Sequence, residues 1–247
     1  MPRVDLNCDL GEGAGHDPEL MPLITSVNIA CGAHAGDEAT MRATVELALR
    51  HGVAIGAHPG FEDREHFGRT ELAITPGQAA EMVSRQIQKL QDIACKLGAV
   101  VHHVKLHGAL YNMASRDREL AEAIIKAIWV TEKNPVLYAL SGSELERVAR
   151  EHGDFIVMSE VFADRTYQAD GSLTPRDRPD ALITEANLAV AQVLRMICEG
   201  RVRTTDGSDV AIKADTICLH GDEPHAVEFA RRLSGGLRTA GIEVRRF

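Results

Sequence analysis

Acids, histidines, a lysine and glycines recur together in six short segments of this chain. They are Asp9-Leu10-Gly11-Glu12-Gly13, Cys31-Gly32-Ala33-His34-Ala35-Gly36-Asp37, His58-Pro59-Gly60, Lys105-Leu106-His107-Gly108, Glu160 with Asp164 and Arg165, and His220-Gly221-Asp222. Carboxylates in such company can take a proton from water, and lysine or histidine can neutralise an oxyanion. An arginine such as Arg69 or Arg165 can grip a carboxylate with its planar fork. Each residue alone has a plainer explanation. Asp37 and Asp222 suit helix N-caps, and Cys8, Cys31 and Cys218 suit small buried core positions. The run GEGAG has no GxxxxGK[ST] pattern, so no P-loop is present, and no HxH or HExxH spacing marks a metal site. The recurrence is what points to an enzyme.

Each segment follows a short β-rich run. The expected strands are Val4–Cys8, Val27–Ala30, Val53–Gly56, Val100–Leu106, Val136–Leu140, Phe155–Met158 and Thr216–Leu219. Several read as apolar nearly throughout, as in parallel strands covered on both faces. Helical stripes lie between them. Thr75-Pro76-Gly77-Gln78 predicts a capping box, followed by Ala79, Val83, Ile87, Leu90, Ala94 and Leu97 on one face. Leu120, Ile124 and Ile128 form a second stripe before Asn134-Pro135, Ser143 to Glu146 predicts another capping box, and Ala226 to Ala240 carries the last stripe. Strand–helix alternation means right-handed crossovers and a parallel sheet. About seven such strands in 247 residues favour a single-domain α/β barrel over residues 1–247 rather than an open sheet. In a barrel all the strand C-terminal ends face one mouth, which gathers the six segments. Two polar stretches interrupt the rhythm: 160–184 with a turn at Asp170-Gly171, read as an active-site flap, and 201–212 with a turn at Asp206-Gly207.

Composition narrows the class. A net charge of −9 argues against nucleic-acid binding, which needs a basic surface. Five cysteines without a CxxC pair read as reduced thiols. The start MPRVDLNCDLGEG is not a signal peptide, and no apolar run approaches the ~18 residues of a membrane span, so the expected location is the cytoplasm. With only 4% aromatic residues, the core is expected to be Val, Ile, Leu and Ala.

The blocks DLNCDLGEG (5–13), NIACGAHAGD (28–37), GAHPG (56–60), FGR (67–69), HHVKLHGALYN (102–112), EVFADRTY (160–167) and CLHGD (218–222), in this order, resemble the LamB/YcsF family, the A subunits of ATP-hydrolysing 5-oxoprolinases. The chain departs from the usual family pattern at Ala33, Phe61, Thr70 and Leu106. The resemblance implies a glycoside hydrolase/deacetylase-like barrel. It also implies ATP-dependent opening of 5-oxoproline (pyroglutamate) to glutamate, with separate B and C subunits as partners and ATP bound on or shared with them. On that basis Asp9, Glu12, Lys105, His107 and Asp222 are the catalytic candidates. Asn7, His34, His58, Arg69, Glu160, Arg165 and His220 are the substrate-binding candidates. Two other readings stay open at this point: a metal-dependent amidohydrolase or deacetylase holding a divalent ion on Asp9, His34 and His58, and a non-catalytic subunit that binds a small acid.

Overall fold

The computed structural model describes residues 2–221 and 225–247. Its elements run in chain order β1 (Arg3–Leu10), α1 (Asp17–Leu20), β2 (Ser26–Ala30), α2 (Glu38–His51), β3 (Ala54–His58), α3 (Pro76–Lys96), β4 (Val101–Lys105), α4 (Gly108–Arg116), α5 (Arg118–Thr131), β5 (Val136–Leu140), α6 (Glu144–His152), β6 (Ile156–Phe162), α7 (Ala186–Glu199), β7 (Arg201–Arg203), β8 (Asp209–Ala211), β9 (Thr216–His220), α8 (Ala226–Thr239) and β10 (Glu243–Val244). Strands β1, β2, β3, β4, β5, β6 and β9 pair in that order, all parallel, and β9 pairs back onto β1. The sheet therefore closes into the seven-stranded barrel that the sequence predicts.

All seven expected strands are present, and the largest boundary difference carries chemistry. β6 continues to Phe162, so Glu160 lies inside a strand and is fully buried rather than opening the flap. The stretch after it turns at Gly171 beside the Tyr167–Leu173 bridge, and β7 and β8 form the second expected hairpin. Thr75 and Gln78 make the full capping box on α3. The predicted box at Ser143 is half formed. Ser143 caps the Glu146 N–H, but the Glu146 carboxylate accepts from the Gly142 N–H and from Ser159. Asp37 caps α2 through Thr40, so its plain explanation is the right one.

The aliphatic core expected from composition lies between the strands and the helix ring, where Leu6, Cys8, Ile29, Val45, Ile87 and Ile124 are buried. The inside of the barrel is different. On β1 the period-two alternation sends Asp5, Asn7 and Asp9 inward while Leu6, Cys8 and Leu10 join the aliphatic layer, so this strand is not apolar on both faces. Asp5 accepts from Thr25, Ser26 and Thr216 at 2.6–2.7 Å. Asn28 donates to Asn7 and Asp9 at 2.7 Å, and His103 Nε2 donates to Asn28 Oδ1 at 2.8 Å. Val136, Tyr138 and Met158, with Phe247 against them, form a second apolar cluster. The His103 ring stacks on Tyr138 at 4.0 Å.

Gly56 on β3 exists for this interior. A Cβ there would stand 2.1 Å from His103 Nε2, so only glycine lets the imidazole reach Asn28. Gly56→Ala is expected to lower stability by about 1–3 kcal/mol, as overpacking does, measured as a lower urea midpoint with unchanged slope. Burial, then His102, holds His103 well below the usual imidazole range, so the folded state favours its neutral form. Its contribution is full above the unfolded value near 6.5 and is lost as the pH falls, by up to about 1.4 kcal/mol at pH 5.5. Urea unfolding at pH 7.5 and 5.5 should show a drop that is smaller in His103→Asn.

Candidate active site

The C-terminal ends of the strands open into a cavity of about 840 Å³. Asp9, Glu12, His58, Lys105, His107 and His220 line its depth, and Arg69, Arg116, Arg147 and Arg176 line it from the surrounding loops and helices. The segment after β6 contributes Arg165 and residues 170–177, as expected of a flap.

At the floor stands one buried ammonium. Lys105 Nζ is 2.9 Å from Asp9 Oδ1, 3.0 Å from Glu160 Oε1, 2.9 Å from Cys218 Sγ and 3.3 Å from Asn7 Oδ1. Burial alone would strip its proton, but the Asp9 and Glu160 carboxylates, with the Cys218 sulfur accepting a hydrogen bond, outweigh it and hold the lysine well above its usual range. Burial would likewise raise Asp9, and His58 with Lys105 outweighs it, so Asp9 is a carboxylate. Its other oxygen, Oδ2, faces His58 Nε2 at 3.4 Å and His220 Nε2 at 3.9 Å. Glu160 is held from below by Asn7 at 3.0 Å and by the Tyr111 hydroxyl at 2.7 Å. Burial, then Asp9, pushes the Cys218 thiol up, so it sits beside the lysine as a thiol.

Beside this ion pair lies a histidine group. His58 Nδ1 donates to the Lys105 carbonyl at 2.8 Å, and His107 Nε2 donates to the Phe67 carbonyl at 2.8 Å. Their remaining nitrogens, His58 Nε2 and His107 Nδ1, face each other at 2.9 Å. Phe67 has a positive φ of 57°, uncommon for a bulky residue, and this conformation presents its carbonyl to His107. Glu12 Oε1 is 3.6 Å from His107 Nδ1 and 3.3 Å from His34 Nε2. His34 stacks on His107 at 3.6 Å with the rings nearly parallel. Burial, then His58, pushes His34 down to about 3, so it is neutral. On the opposite wall His220 Nδ1 bonds Asp164 Oδ2 at 2.7 Å.

The structure thus gathers Asp9, Glu12, Lys105, His58, His107 and His220 around one space, with Arg69 at 4.8 Å over the Phe67 ring. Asn7, His34 and Glu160 lie behind the cavity wall and touch its residues rather than the space. Arg165 lines the space, but two of its nitrogens donate to the Thr174 and Ala181 carbonyls, so it braces the flap. Asp222 lies outside the described residues. Sequence reasoning missed Asn28 and Tyr111, and it listed Asp164 at a strand end without giving it a role. Asn28 had a readable signal, because SVNIA alternates in step with Asp5, Asn7 and Asp9 across the β1–β2 register. Among the described residues two groups could hold a metal ion: Glu12, His34, His58 and His107, and Asp9, Cys218 and His220.

A model of the LamB/YcsF family matches residues 4–247. The chain is 53% identical to the 5-oxoprolinase A subunit of Geobacillus thermodenitrificans, over 99% of this chain and 96% of that one. It superposes on the crystal structure of a lactam utilization protein from Thermus thermophilus with a TM-score of 0.91 and 45% identity, covering 99% of this chain and all of that one. A polysaccharide deacetylase from Bacillus cereus, 12% identical, shares the fold alone at a TM-score of 0.50, over 100% of this chain and 92% of that one.

Removing one partner of a buried ion pair leaves uncompensated charge, at a cost of about 3–5 kcal/mol. Lys105→Met is expected to lose stability on this scale, read as a lower urea midpoint at pH 7.5. Asp9, depressed in the wild type, stabilises the fold above its unfolded value near 3.9. In the variant that contribution is gone and protonation relieves the repulsion with Glu160. The deficit should therefore shrink as the pH is lowered from 7.5 towards 4.

Proposed function

The chain belongs to the LamB/YcsF family, and on that premise we propose that it is the A subunit of an ATP-dependent 5-oxoprolinase, opening the lactam of 5-oxoproline to L-glutamate. The observation that carries this reading is the full-length identity of about half to relatives bearing that name. The cavity supports it. It is concave, of a size for a small metabolite, floored by acid and base groups and rimmed by arginines.

A γ-lactam resists water because amide resonance weakens its carbonyl and the amine leaves poorly. Transfer of the ATP γ-phosphoryl group to the lactam oxygen, releasing ADP, removes that resonance. Water then adds to the ring carbon, losing its proton to the cavity's acid–base group. The carbon–nitrogen bond breaks, nitrogen takes a proton, and hydrolysis of the resulting acyl phosphate gives glutamate and inorganic phosphate. In this scheme Asp9 and Glu12 are the carboxylates placed to take the water proton, with His58 and His107 beside them. His220, oriented by Asp164, reaches the opposite side of the space. Lys105 keeps Asp9 ionised and adds positive charge at the floor, where oxyanion or phosphate charge develops. Arg69 and Arg176 are the cations placed to receive the substrate carboxylate or the phosphate. Following the family resemblance, ATP is assigned to partner subunits or to a site shared with them, and the partners are the B and C subunits.

The test is 5-oxoproline-dependent glutamate formation with ATP, using this chain alone and with the B and C subunits. Glutamate only in the full mixture supports the reading. No glutamate from a mixture shown to assemble overturns it. Glu12→Gln is expected to lower turnover by ~10²–10⁴-fold, the usual worth of a general base, with an unchanged melting temperature. Undiminished turnover would remove Glu12 from proton transfer.

A further inference from the structure

We infer that the floor of this cavity is a binding site for a divalent transition-metal ion of the zinc class, held by His58 Nε2, His107 Nδ1 and Glu12, with Asp9 in reach as a further oxygen donor. The inference rests on hydrogen-bond directions and does not depend on which substrate the cavity takes.

A backbone carbonyl can only accept. The carbonyls of Lys105 and Phe67 therefore fix a proton on His58 Nδ1 and on His107 Nε2. In neutral rings this leaves two lone pairs, on His58 Nε2 and His107 Nδ1, pointing at one another across 2.9 Å. That contact is repulsive unless a cation lies between them. A shared proton brings a single positive charge to a place where two carboxylates, Asp9 and Glu12, stand beside the rings. A divalent ion accepts both lone pairs at once. Nitrogens each roughly 2.1 Å from one ion stand about 3.0–3.4 Å apart, close to what is seen. The two rings are 83° apart, so they meet edge-on with these nitrogens at the contact rather than stacked face to face.

The surroundings agree. Histidine ligands usually donate their far N–H to a carbonyl or carboxylate, which sets the tautomer; both rings do so here. Glu12 Oε1 lies 3.6 Å from His107 Nδ1, and Asp9 Oδ2 lies 3.4 Å from His58 Nε2, so two carboxylates are at hand to balance a double charge. Glu12, His58 and His107 all line the cavity, which leaves the ion an open side, as catalytic metal sites have. Imidazole with carboxylate suits zinc and its neighbours better than calcium or magnesium. His34 belongs to the same cluster but does not ligate. Its ring lies 5° from parallel to His107 at 3.6 Å, so an ion in the plane of one ring is out of the plane of the other. His34 is a positioning residue that holds Glu12 at 3.3 Å. The donors come from the ends of β1, β3 and β4, far apart in the chain, which is why no local spacing announces them.

The probes are Zn²⁺ and Co²⁺ alone, added to chelator-stripped full-length chain carrying Cys95→Ser and Cys198→Ser, which remove the two exposed thiols. One equivalent of Zn²⁺ should bind and raise the melting temperature. Co²⁺ should give visible bands without the near-ultraviolet absorption of a thiolate ligand. His107→Ala and His58→Ala should each abolish stoichiometric binding, whereas His34→Ala should keep one equivalent at roughly 10–100-fold lower affinity. Binding well below one equivalent overturns the site, as does binding unchanged in both ligand variants. Thiolate absorption in the complex of this double-serine chain, before any ligand residue is changed, would place the ion on a buried thiol such as Cys218 and overturn the site. Because the readout is binding, a failed glutamate assay leaves this result standing.

Discussion

The interior of the barrel is organised around the Lys105 ammonium. A charge buried this deeply is tolerated only when partners replace its water. Lys105 has four, from β1, β6 and β9. Asp9 and Glu160 supply the opposite charge, and each is fixed in turn by an amide: Asn28 on Asp9 and Asn7 on Glu160. His103 orients Asn28, and Gly56 makes the room for His103. Removing a member takes a partner from its neighbours, so the parts of the network depend on one another. The active surface is the upper face of this network, which is why its electrostatics are fixed before any ligand arrives.

Much of this was legible in the sequence. Strand–helix alternation and the strand-end acids and histidines led to a seven-stranded parallel barrel that gathers those groups at one mouth, and the structure has the barrel and the gathering. The part that was hidden is the inside of the barrel. Apolar runs were read as buried on both faces, yet DLNCDL in β1 alternates polar and apolar in strict period two. That pattern ordinarily marks a strand with one wet face. Here the polar face looks at six other strands that carry matching donors and acceptors, a match no single segment reveals. Glu160 was placed after its strand for the same reason: a lone acid reads as a strand terminator until its lysine, on β4, is known to sit opposite.

The histidine group shows the same limit from another side. His34, His58 and His107 are each one residue in a glycine-bearing turn, and nothing in their spacing tells which ring nitrogen faces the cavity. That is decided by two carbonyls, one of them set by the positive φ of Phe67. Backbone conformation at a residue with no chemistry of its own thus selects the chemistry of its neighbour.

The turns around the mouth are also locked to one another. The His107 N–H donates to the Pro59 carbonyl and the Ala109 N–H to the Gly68 carbonyl. A Cβ on Gly108 would stand 2.5 Å from the Gly68 oxygen, and one on Gly36 would stand 2.6 Å from the Gly11 oxygen. These loops are in this way keyed together, backbone against backbone, with no side chain between them to be traded for another. Drift in such a ring is steeply penalised, because a change in one turn needs simultaneous change in the next. The segment after β6 is tied down too, by Arg165 on two carbonyls and by backbone bonds such as Ile183 N–H to the Asp164 carbonyl and Thr205 N–H to the Tyr167 carbonyl. What the mouth accepts can therefore change through the side chains that line it more readily than through the path of its turns.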